Sequence, residues 1–192
     1  HEHDHSEEVL RGMIQALRLV GLHDEVAVAL DRLSLLGQLQ GDARIVCDAA
    51  ALKALHWFGR RRFDLARQLA EGHLKVARGL DDVLVAARLL WILAMIARQA
   101  GRVEDGLELS EQSLSRIAHL SDESAIELRV QCLINLGNSY GQTGQIDRAL
   151  NAFGRAGDHS SKAGLVSSRI VCTMNLGICW ALQARYSTSL TH

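Results

Sequence analysis

The chain repeats itself at a nearly fixed step, and that step limits its architecture more than any other feature. Around Ile14 lie Leu10, Leu17, Gly21 and Leu30; around Ala54 lie Ala50, Trp57, Phe63 and Ala66. Around Ala94 lie Leu90, Leu93, Ala97, Gly101, Val103 and Gly106; around Gly177 lie Leu176, Trp180, Tyr186 and Ser189. The clearest copy is Leu133, Leu136-Gly137, Tyr140, Gly144, Ile146, Ala149, Phe153 and Ala156. The centres 14, 54, 94, 137 and 177 stand 40, 40, 43 and 40 residues apart. A fixed period of this length marks stacked supersecondary units, each burying its apolar face against its neighbours.

Composition makes those units helical. The 192 residues are 48% hydrophobic but only 4% aromatic, and Ala, Leu, Arg, Glu and Gln outweigh the β-branched types. There is no proline, so with 16 glycines the turns fall to Gly, Asp, Ser and Asn.

The copy at 133–156 resembles the tetratricopeptide repeat: a large residue, Leu-Gly, an aromatic, a turn, then Ala, Phe and Ala. Leu133 stands where that family often has Trp, and its closing Pro is absent. The resemblance is strongest over 131–157, good over 173–189, fair over 83–113 and weak before residue 40. It implies an all-α, right-handed superhelical α-solenoid of antiparallel helix pairs. Five repeats are expected at about 7–40, 41–80, 81–120, 121–160 and 161–192, the last cut short. The 40-residue step exceeds the common 34, so each helix is about a turn longer.

Ten helices follow: 7–20, 23–36, 42–58, 62–77, 82–100, 103–118, 122–142, 146–157, 162–183 and 186 onward. Joints are expected at 37–42, 78–82, 118–122 and 157–163, with Asp42, Asp82 and Ser121 or Asp122 as N-caps. Gly144 closes its helix in the left-handed conformation. Gly137 is expected to face Ala149 and let two helices approach, while Leu136, Tyr140 and Phe153 fill the seam. Ala54, Trp57, Ala66, Ala94, Gly177 and Trp180 take the matching packing positions, with Trp57, Tyr140 and Trp180 in one column.

In this family the first helix of each repeat lines a concave groove. Helical phase then puts Leu55, Phe58, Arg88, Trp91, Met95, Arg98, Ile134, Asn138, Met174 and Ile178 on that face, beside Asp48 and others. Its apolar character has three readings: a groove for an amphipathic helix or apolar peptide, with Trp91 as hot spot; packing within the solenoid; or self-association. The family's carboxylate-clamp positions are occupied by Ala51, Leu55, Trp91, Met95 and Ile134, with only Asn138 matching, so a chaperone-tail clamp is not expected.

The formal charge of −1, from 21 basic and 22 acidic residues, argues against nucleic acid and anionic membranes as partners. Arg60-Arg61-Arg62 beside Trp57 and Phe58 is a basic-aromatic cluster, but Trp57 is assigned to the helix seam. The longest apolar run, Leu89–Ala97, falls short of the ~18 residues of a membrane helix. Cys47, Cys132, Cys172 and Cys179 lie in helical patterns and read as buried reduced thiols of a cytoplasmic protein.

His1-Glu2-His3-Asp4-His5 matches a zinc-peptidase spacing, yet has no preceding helix and no supporting shell. Residues 1–6 therefore read as a disordered His-rich terminus or cloning remnant. No metal or cofactor is expected, and no catalytic residues. The function implied by the resemblance is a non-catalytic scaffold that binds another protein or peptide. Two alternatives stand beside it. One is a regulatory segment of a larger bacterial signalling or transcription protein, acting on an output domain of the same polypeptide. The other is a homodimerisation scaffold.

Overall fold

Six helix ends among the described residues are closed by one hydrogen-bond pattern. A residue in the left-handed conformation ends the helix, and the next residue's N–H returns to the carbonyl five positions earlier. Gly21, Gly41, Arg61, Gly101, Gly144 and Gly164 take the positive φ, between 60° and 78°. The returning bonds are Leu22 to Leu17, Asp42 to Gly37, Arg62 to Trp57, Arg102 to Ala97, Gln145 to Tyr140 and Leu165 to Ser160, at 2.9–3.0 Å. This is the Schellman closure, which satisfies the carbonyls that a helix end otherwise orphans.

The computed structural model describes residues 2–189, and the side chains of 6–184. Among them are nine helices: α1 (Glu2–Leu19), α2 (His23–Gln40), α3 (Ala43–Gly59), α4 (Phe63–Arg78), α5 (Val83–Gln99), α6 (Val103–Arg116), α7 (Glu123–Gln142), α8 (Ile146–Lys162) and α9 (Val166–Ser189). No strand occurs among the described residues. Successive helices pack on one another, α1 on α2, α2 on α3 and α3 on α4, then α6 on α7, α7 on α8 and α8 on α9. The chain divides into two compact units, residues 1–92 and 93–192, with the boundary inside α5.

The joint expected at 37–42 narrows to its last two residues, and the one expected at 157–163 shifts to 163–165. The chain turns at Gly41 and Gly164, whereas Gly37 and Gly157 are inside α2 and α8. Gly37 acts by its size: a Cβ there would come 2.9 Å from that of Ile45, so its absence sets the approach of α2 to α3. The remaining two joints have no left-handed residue. Asp82 Oδ1 accepts from the Leu84 N–H at 3.0 Å and starts α5. After α6, the Arg129 guanidinium donates to the Ile117 and Leu120 carbonyls at 2.9 and 2.8 Å. The Asp caps stand as expected, Asp42 accepting from Arg44 and Ile45 N–H and Asp122 from Ala125 N–H.

Unit 1 is centred on Ile14, Val26, Leu30, Leu33 and Ile45. Unit 2 is centred on Val130, Leu133, Leu136, Tyr140, Phe153 and Cys172. Ala54, Ala66, Ala94, Leu136, Ala149 and Phe153 are all buried. The nearest neighbour of the space left by Gly137 is the Phe153 ring: a Cβ would lie 2.6 Å from Phe153 Cε1. Trp57 and Tyr140 hold equivalent places as acceptors of the returning bond, each under an arginine, Arg62 at 5.9 Å and Arg148 at 4.3 Å from the ring centre.

The terminal elements depart from expectation. The break before a tenth helix at 186 is absent, because α9 continues unbroken to Ser189. Gly177 has no atom within 4 Å of a notional Cβ and Trp180 is 58% exposed, so neither fills a seam among the described residues. The Tyr186 side chain lies outside the described residues. At the other end, the segment expected as disordered enters α1 from Glu2.

Two predictions follow from these contacts. Gly137→Ala costs about 1–3 kcal/mol through overpacking against Phe153, whereas Gly177→Ala gains about 0.5–1 kcal/mol, as alanine does in an open helix interior. Urea melts of the two variants have opposite signs if the seam is as described. Among the described residues Arg61 is the single non-glycine at a left-handed joint, so Arg61→Gly raises stability by about 0.5–1 kcal/mol, read as a higher urea midpoint at unchanged slope.

Candidate functional site

The odd-numbered helices carry the face on which binding residues were expected, and much of that face is tied up internally. In unit 1, Asp48 lies on α3 in an otherwise apolar run and is buried. A buried carboxylate needs partners. Arg11 of α1 donates to its Oδ2 at 2.5 Å, and Arg88 of α5 to its Oδ1. Glu7 extends the network, pairing with Arg11 at 2.8 Å and Arg44 at 3.2 Å. Burial pulls the Arg11 pKa down, but Asp48 and Glu7 outweigh it and leave it above its ordinary value. Arg88 is therefore a structural cation here and not a free groove residue.

Trp91 requires a correction. It is only 8% exposed, and its indole Nε1 is buried without a hydrogen-bond partner. The reason is α5 itself, apolar all round: Val85–Ala87, Leu89–Ala94, Ile96 and Ala97 are buried, as expected of a helix without a polar face. Met95, Leu55 and Phe58 are half-buried, and the Phe58 ring packs on Phe63 with centroids 5.3 Å apart.

In unit 2, Arg98 of α5 donates through Nε to Asn135 Oδ1 at 3.0 Å, and Asn135 Nδ2 donates to Ser110 Oγ at 2.9 Å. Burial lowers the Arg98 pKa. Asn135 thus joins α5, α6 and α7, a role the sequence signals only by its place before Leu136-Gly137. Ile134 packs against the core and Asn138 is half-buried. Met174 and Ile178 on α9 are different: they are 63% and 57% exposed. They share α9 with exposed Val166, Ile170 and Val171, and α9 packs directly on α7 as well as α8.

Other chemistry is sparse. The four cysteines are unpaired and buried. Burial pushes the Cys132 thiol up to about 12, against the opposing hydrogen bond to Ser113, so it stays a thiol near neutrality and is a poor nucleophile. Among the described residues no group of three His, Cys, Asp or Glu side chains is placed to hold a metal ion. The side chains of His1, Glu2, His3 and His5 lie outside the described residues. No helix among those residues is long and apolar enough to cross a membrane.

No protein-family model matches the chain, and no curated protein matches it. Among solved structures, BtubC (BKLC) from P. vanneervenii is similar, with a TM-score of 0.52 at 17% identity, covering 96% of this chain and 93% of that one. This is a likeness of helical fold alone. A chain of the DHF46 filament aligns over 94% of this chain and 98% of its own at 18% identity, with a TM-score of 0.33, too low to support a shared fold.

The ion network yields a clear expectation. Asp48→Ala leaves two arginines facing each other, and costs about 2–3 kcal/mol once the partial exposure of their side chains is allowed for. Arg44→Ala, removing a more exposed partner of Glu7, costs under about 1 kcal/mol. Thermal unfolding of both variants checks the ordering, and equal losses would remove Asp48 from its central place.

Proposed function

We propose that the chain is a non-catalytic, protein- or peptide-binding scaffold of the tetratricopeptide type, a right-handed superhelix of antiparallel helix pairs whose odd helices receive a segment of another protein. The observation that carries this reading is the exposure of Met174 and Ile178 on α9. Solvated helices seldom leave such residues bare in a row, and the flexible thioether of Met adapts to a partner's surface. A helical or extended segment with apolar side chains spaced one turn apart is the complementary ligand. Four unpaired, buried cysteines support a reducing, cytoplasmic setting.

The test is affinity capture from the source cell's lysate with three baits: wild type, Met174→Glu/Ile178→Glu, and Leu39→Glu on the exposed face of α2. A protein retained by wild type and Leu39→Glu, and reduced at least about tenfold by the double variant, is the expected result. Equal retention by all three overturns the α9 site. Circular dichroism melts first establish that the baits are equally folded.

A second reading has its own observation. Val166, Ile170 and Trp180 extend the exposed apolar surface of α9, which suits a second copy of the chain. Sedimentation of wild type beside Ile170→Glu decides it, since a dimer dissolved by the variant supports self-association and a wild-type monomer at high concentration removes it.

A further inference from the structure

We propose that the cavity between the ends of α1 and α3 is a binding site for a phosphate-type oxyanion, held by Arg18, His23, His56 and Arg60. The cavity, about 330 Å³, is lined by those four residues with Leu55 and Gly59. Every ionisable lining group is basic. Elsewhere in unit 1 the partly buried Arg11 and Arg88 both meet the Asp48 carboxylate. Arg18 instead donates to the Leu52 carbonyl at 3.2 Å, and among the described residues neither Arg18 nor Arg60 is ion-paired.

Basic residues near helix C-termini have an ordinary role, offsetting the partial negative charge there. Here α1 and α3 both end at the cavity. Two such ends supply roughly −1 in total. Two arginines exceed that by about one charge before either imidazole takes a proton. The local field shows the excess: His56 has its pKa lowered by burial, then by Arg18, His23 and Arg60, with only Asp24 opposing. Arg18 is likewise lowered by burial and then by Arg88. The His23 and His56 rings stand 6.1 Å apart. Gly59 leaves room, since no atom lies within 4 Å of a notional Cβ there.

Two guanidinium forks and two imidazoles offer many directed donors, which suits a tetrahedral oxyanion of about −2 charge. Leu55 gives an apolar wall for the carbon side of an ester. Binding a dianion favours the imidazolium form of His56, whose pKa the surrounding cations and burial hold down, so affinity grows as pH falls from about 8 to 6. Sulfate keeps its charge over that range and isolates the imidazole contribution, whereas a phosphate monoester itself takes up a proton near pH 6.

The test follows the His23 and His56 ring protons by NMR, and heat by calorimetry, on the full chain at constant ionic strength. The probes are sodium sulfate, inorganic phosphate and O-phosphoserine, with chloride as control. Sulfate and phosphate are expected to shift both rings where chloride does not, with tighter sulfate binding at pH 6 than at pH 8. Arg18→Gln and Arg60→Gln are each expected to weaken binding about tenfold. Both side chains are exposed, and Arg60 lacks the backbone contact that Arg18 makes to Leu52, so its variant keeps the test valid if Arg18→Gln fails to fold. Phosphoserine binding more tightly than inorganic phosphate assigns the site to a phosphorylated side chain; equal affinities assign it to free phosphate. Identical shifts with chloride, or unchanged affinity in Arg60→Gln, overturn the site, and pH-independent sulfate binding overturns the role of the histidines.

Discussion

A backbone bond closing six of the described helices onto a left-handed residue is the constraint on which the rest depends. It fixes where α1, α2, α3, α5, α7 and α8 end and sends the chain directly into the next helix, within two to three residues. Because the closure belongs to the backbone, it needs no specific side chain except at one position. That position is glycine five times and Arg61 once. Helices starting from these turns at Leu22, Arg62, Arg102 and Gln145 have no side-chain cap. Aspartate caps serve where the left-handed turn is missing, at Asp82 and Asp122, and add to it at Asp42.

Small residues then set how near the helices come. Gly37 against Ile45, Gly106 against the Ala94 carbonyl and Gly137 against Phe153 are close approaches of a backbone to a neighbour. Such contacts recover dispersion along the whole seam, so they place the helices more firmly than their own lack of side chain would suggest. Polar links add direction. The Glu7–Arg11–Asp48–Arg88 network fastens α1, α3 and the first part of α5, and Arg98–Asn135–Ser110 does so for α5, α6 and α7. A buried carboxylate between two arginines contributes little net stability but penalises any packing that separates them.

These links use up much of the face that repeat phasing offers to a partner. Arg88, Arg98 and Trp91 are held by neighbours, while Met174 and Ile178 remain exposed, as do the Arg18 and Arg60 side chains around a cavity without carboxylates. The protein thus has two chemically distinct surfaces, one apolar and one cationic.

The sequence by itself determined the helical class, the helix–turn period and most helix ends, because these depend on local chemistry: apolar spacing, glycine at turns, aspartate at caps. It also marked Gly137, Phe153 and Ala149 as seam residues, since small-beside-large is visible in one dimension. Tertiary structure alone decided the rest. The pattern could not tell that the Phe153 ring comes nearest to Gly137, because Ala149 and Phe153 lie about one turn apart on α8. Trp91 and Trp180 look alike as large apolar residues at repeat positions, yet one is enclosed by its neighbours and the other stands on the side of α9 left exposed among the described residues. Asp48 meets Arg88 across 40 residues and Arg11 across 37. Only folding shows that those charges neutralise one another while Arg18 and Arg60 do not, because pairing depends on distance in space, which helical phase does not specify.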